Sequence, residues 1–186
     1  MGMDIASLVG DADMPRTFQR HGGRIIARFA PEEVELLRAL QDGIRQTLAE
    51  GNDEDPVVAR LFPSAVSGDD EADAELRGLL RDELLTQRQA GLDALIAILD
   101  RCEPHRGHLR AELSDDEPLL VLGVLNDLRL AIGARVGIEH LDRDEVSEDD
   151  PVAYRLAVMD HLGWWQEQLL HLLEPGDAAS EGAPWT

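Results

Sequence analysis

Cys102, His105 and His108, spaced C-x2-H-x2-H, come closest to a metal site. Zinc takes thiolate or imidazole ligands that converge tetrahedrally, four in a structural site and three plus water in a catalytic one. This cluster supplies three, spans Pro104 and Gly107, and has no matching pair elsewhere. The preferred reading is a helix end followed by a loop over 105–113, whose histidines suit the negative end of the helix dipole. Glu167 and His171 stand four apart, with Gln168 where a Glu-x-x-His motif needs its histidine, so a di-iron carboxylate bundle is rejected. The acidic run Asp142 to Asp150 has Val146 and Ser147 where a calcium loop needs a ligand and a glycine. It reads as a solvated connector. The chain contains no phosphate-binding glycine loop, nucleophile elbow or dinucleotide fingerprint. The expectation is a non-enzyme with no metal and no cofactor.

Polar residues inside an aliphatic stretch are more informative. Asn126, Asp127 and Arg129 sit among leucines, with Arg135 two turns on. Charges placed in such a core must be paired or they cost several kcal/mol. Two readings stand open: a buried ion-pair network that fixes helix docking, or a small-molecule pocket anchored on Arg129. Gly163-Trp164-Trp165 puts a large apolar surface beside a glycine that permits close helix approach. Trp165 fits a core stripe. Trp164 falls off it and is a candidate anchor for a partner, with a second copy of the chain one such partner.

Charge is the strongest bulk signal: 38 acids against 17 bases gives −21 on 186 residues, and every base is arginine. Residues 15–30 reverse the sign, holding Arg16, Arg20, Arg24 and Arg28 and no acid. A phosphate backbone would be repelled by most of this surface, which disfavours DNA as a partner. The arginine segment, Arg20, Arg24 and Arg28 above all, is expected to contact the chain's own acids or a protein. A single cysteine implies no oxidising compartment. The first residues lack a signal-peptide pattern and no apolar run reaches membrane length, so the expected location is cytoplasmic with no membrane contact.

These groups need elements to hold them. Residues 1–15 and 175–186 read as flexible tails around a single domain over 16–174. Two short runs around Gly22-Gly23 give a hairpin signal, with Ile25, Ala27 and Phe29 pointing one way and Arg24, Ile26 and Arg28 the other. Pro31, Glu32 and Glu33 open a helix that Gly51 stops. A short helical turn covers 57–62. A long helix follows from about 70 to 101, or two helices jointed near Gly91. Ser114 with Glu117 suggests a capping box for a helix over about 118–136 that is apolar almost all round, hence central. Asp150 and Pro151 begin the last helix. The predicted fold is all-α: about five helices bundled around the central one, plus a small N-terminal β-hairpin.

Three segments carry a family resemblance: Arg60-Leu61-Phe62-Pro63-Ser64, then Leu125-Asn126-Asp127-Leu128-Arg129-Leu130-Ala131-Ile132-Gly133-Ala134-Arg135-Val136-Gly137-Ile138, then Tyr154 and Leu162-Gly163-Trp164-Trp165-Gln166-Glu167. Together they resemble an actinobacterial domain-of-unknown-function family, DUF2017, whose genes neighbour that of the Clp protease adaptor. The resemblance implies an AosR-like regulator of the oxidative-stress response, acting with a stress sigma factor through paired cysteines. This chain has Cys102 alone, so a disulfide within one chain does not carry over. Cys102 remains the redox candidate. The expected function is a regulatory protein acting through protein contacts, with a sigma factor or a proteolysis component as partner. The alternative is a small-molecule or metal-binding helical domain using Arg129 and Asp127, or Cys102 with its two histidines.

Overall fold

The protein is described by a computed structural model over residues 16–63 and 70–174, with only the backbone for most of 70–80. The two predicted tails lie outside the described residues.

The chain begins with strands β1 (Phe18–His21) and β2 (Arg24–Phe29). Gly22 and Gly23 join them with φ of 58° and 82°, the left-handed conformation that a two-residue type I′ turn demands at both positions. Alternation then sorts β2: Ile25, Ala27 and Phe29 enter the core, and Arg24 and Arg28 lie on the other face.

Helix α1 (Pro31–Glu50) starts on Pro31, and Glu33 Oε2 accepts from the Ala30 amide at 2.7 Å. Gly51, at φ 60°, ends it. Asp55 caps the short α2 (Pro56–Leu61) through the Val57 amide at 2.8 Å. Helix α3 (Asp70–Asp100) is one uninterrupted helix. Gly91 is no joint: a Cβ there would lie 3.0 Å from Val124 Cγ2, so the glycine lets α3 approach its neighbour.

The five helices and the N-terminal hairpin are present as expected, but the loop over 105–113 is not, and the fold is therefore not purely all-α. Strands β3 (Glu103–His105) and β4 (His108–Leu113) form a second hairpin, and β4 pairs with β2. The result is a four-stranded antiparallel sheet in the order β1-β2-β4-β3. Arg106 and Gly107, at φ 50° and 84°, reproduce the turn geometry of the first hairpin. Leu109, Ala111 and Leu113 face the same side as Phe29, Ala27 and Ile25, their register partners. That shared apolar face is what the helices cover.

Helix α4 (Glu117–Val136) touches α1, α2, α3 and α5 (Pro151–Leu173). Val121, Val124, Leu125 and Leu128 are buried, whereas Leu119 is 63% exposed. Half of the predicted capping box forms: Glu117 Oε2 accepts from the Ser114 amide at 2.7 Å, but the Ser114 hydroxyl turns to Asp116. Trp165 is fully buried, edge-on to Phe29 at 5.6 Å, and this contact seats α5 on the sheet.

Candidate functional site

The sheet separates the hairpin arginines. Arg20 is the register partner of Ile25 and lies in the helix-facing row, where its guanidinium donates to the Leu172 carbonyl at the end of α5. It clamps the hairpin to the last helix. Arg24 and Arg28 lie in the outer row, so the three arginines do not share one face. Arg24 pairs with Glu112 of β4, and both are well exposed. Arg28 stands opposite Arg110, its register partner on β4. Sequence reasoning missed Arg110, because only the second hairpin brings it there.

The polar residues of α4 do not form one network; each is held separately. Asp127 faces Arg88 of α3 at 3.6 Å, both side chains 16% exposed. Burial raises the Asp127 carboxyl above its ordinary range, and Arg88 offsets this only in part. Arg88 also donates to the Leu61 carbonyl at 2.8 Å and stacks over the Phe62 ring at 5.3 Å. Arg135 bonds Asp55 at 2.8 Å, tying the end of α4 to the cap of α2. Arg129 crosses to α5, donating to the Met159 carbonyl at 3.2 Å and to Gln166 Oε1 at 2.6 Å. Gly163 makes room for it, since a Cβ there would sit 3.2 Å from the guanidinium carbon. Asn126 is exposed and lines, with Arg129, a cavity of about 510 Å³ between α2, α4 and α5.

Trp164 is half-buried against the core, 5.8 Å from the His161 ring, and presents less surface than its stripe position suggested. His161 is itself buried and meets Glu33 Oε1 through Nε2 at 2.9 Å, which joins α5 to the start of α1. Cys102 Sγ donates to the Ile98 carbonyl at 3.3 Å, and burial raises its thiol pKa against the nearby Arg101 and Arg38. His105 and His108 are opposed across the tip of the second hairpin. Among the described residues no group of three His, Cys, Asp or Glu side chains converges as a metal site would.

One apolar concavity among the described residues came from no motif. Helices α1 and α5 flank α4 and leave a groove of about 780 Å³ between them. Leu128, Ala131 and Ile132 of α4 form its floor, Leu36, Leu40 and Ile44 one wall, and Tyr154 and Val158 the other. Thr47 and Arg135 close one end, and Arg155 lines the α5 side. Ala39 and Gly43, one turn apart on α1, keep that wall low.

A family profile matches residues 15–173, nearly the whole chain. The chain belongs to the DUF2017 family. That name denotes a domain of unknown function and assigns DUF2017 neither a reaction nor a partner. No curated protein and no solved structure shows significant similarity to the chain. No helix among the described residues of this DUF2017 protein is long and apolar enough to cross a membrane.

Proposed function

We propose that this protein is a non-enzymatic, cytoplasmic regulator that works by binding another protein, and that the groove between α1 and α5 receives an amphipathic helix of that partner. The groove carries the reading. It is open, aliphatic, walled by two helices and floored by a third, the arrangement in which a helix inserts its apolar residues at i, i+3, i+4 and i+7. Arg155 on one wall suits acids on the polar flank of such a helix. The AosR-like resemblance supports a stress-linked role with a sigma factor.

The test uses purified stress sigma factor from the same organism, with the full chain as bait. Wild type retains it stoichiometrically, whereas Ala39→Arg, which fills the low wall without touching the core, loses it. Retention by the variant, or no binding by wild type, overturns the reading.

The cavity on Asn126 and Arg129 favours a second reading, a small-molecule site. Its guanidinium is held by neutral acceptors only, leaving its charge for an anionic ligand. Mass spectrometry of the natively purified protein distinguishes the two: a bound small molecule lost in Arg129→Gln supports this reading and counts against the first.

A further inference from the structure

The outer face of the sheet bears on neither groove nor cavity, and its charge is arranged unlike that of the rest of the molecule. Many of the arginines find carboxylates: Arg38 with Asp100, Arg45 with Asp93, Arg88 with Asp127, Arg101 with Glu117, Arg135 with Asp55, Arg143 with Asp160. With 38 acids in the chain, this is the expected outcome. Arg20 and Arg129 are held by neutral acceptors instead. Arg28 and Arg110 differ from both groups. They are direct register partners on the two central strands, and like charges directly opposite are destabilising. Neither has an acidic partner among the described residues. In both, Nε is buried without any hydrogen-bond acceptor, a deficit of the size of a lost charged hydrogen bond.

Beside Arg110 lies a polar cavity of about 310 Å³, lined by Arg101, Glu103, His105 and Glu112. We infer that Arg28 and Arg110 together hold the phosphoryl group of a small phosphorylated compound, whose remainder occupies this cavity. Two adjacent guanidiniums offer forked donors that match the oxygens of a phosphate dianion, and the dianion neutralises both charges at once. The flanking carboxylates decide the size of the ligand. Glu103 is the other register partner of Arg110, and Glu112 follows it by two on the same face. Both repel an extended polyanion, as does the chain's overall charge of −21. A compact dianion fits between them; a nucleic-acid backbone does not.

The experiment titrates inorganic pyrophosphate into the full chain at low ionic strength by isothermal calorimetry. Wild type binds one equivalent, with affinity that falls as salt rises. Arg28→Gln and Arg110→Gln each weaken binding about tenfold or more, the loss of one charge-assisted hydrogen bond. Arg24→Gln, which removes a charge already matched by Glu112, leaves it within about threefold. Circular dichroism confirms that each variant is folded. Absence of binding at millimolar pyrophosphate overturns the inference, as does binding indifferent to both substitutions. Tighter binding of a single-stranded oligonucleotide or a polyglutamate peptide than of pyrophosphate overturns it too.

Discussion

Two pairs of side chains show how differently this molecule treats arginine. Between α3 and α4, Arg88 is mostly enclosed and has a counter-ion: Asp127 beside it, the Leu61 carbonyl on Nη2 and the Phe62 ring beneath. On the outer face of the sheet, Arg28 and Arg110 stand opposite one another with no acid between them. The first arrangement uses charge to hold helices in register. The second sets like charges directly opposite each other, with Glu103 on the far side of Arg110, and it is the surface we assign to a ligand.

Breaking the helical pair gives the largest effect. Asp127→Ala leaves the Arg88 guanidinium half-buried without its counter-ion and lowers unfolding free energy by about 2 kcal/mol, measured by urea denaturation. Asp127→Asn costs less, because an amide of the same shape keeps the packing and a polar oxygen facing Arg88. The sign of its pH dependence is also fixed. Burial raises the folded-state pKa of Asp127 above the ordinary aspartate range, so the native state holds its proton to higher pH than the unfolded chain. Its contribution is greatest in acid and declines as pH rises through that folded-state value. The difference in unfolding free energy between wild type and Asp127→Asn, measured across the acid range, shifts against wild type as pH rises, because the other carboxyls contribute equally to both.

Next comes the seat of Arg129. Gly163→Val pushes side-chain atoms into a guanidinium that already sits 3.2 Å from the position of a Cβ, and lowers stability by about 1.5 kcal/mol. The sheet pair moves the other way. Arg28→Gln or Arg110→Gln relieves like-charge repulsion and raises stability by about 0.5 kcal/mol in ligand-free buffer of low salt. The smallest effect belongs to the exposed pair: Arg24→Ala changes stability by no more than about 0.5 kcal/mol, and less in high salt.

The two hairpins show what was legible in the sequence. Gly22-Gly23 announces its turn, because two glycines accept positive φ without strain. Arg106-Gly107 makes the same turn with an arginine at φ 50°, a residue that carries no turn signal. Its strand β3 has three residues, one of them Pro104, tolerated only because β3 is the sheet's edge. The alternation of Leu109, Ala111 and Leu113 is short, and with Pro104 and Gly107 beside it the segment reads as a loop after a helix end. The helices were plain from their proline starts, glycine stops and apolar period. Their mutual placement was not. Asp127 and Arg135, both candidates for one buried network, turn to different elements. The α1–α5 groove draws on residues from Leu36 to Val158, a separation no local pattern reports. The Arg28–Arg110 pairing likewise exists only through strand order.

A double-mutant cycle on that pair is the most direct test of the claim that the sheet face is left uncompensated. Unfolding free energies of wild type, Arg28→Gln, Arg110→Gln and the double variant, in low salt without phosphate, give the coupling between the two arginines. The account predicts repulsion: either substitution stabilises, and the second adds less than the first because the repulsion is already gone. A favourable coupling, in which each arginine stabilises the fold only when the other is present, would contradict it.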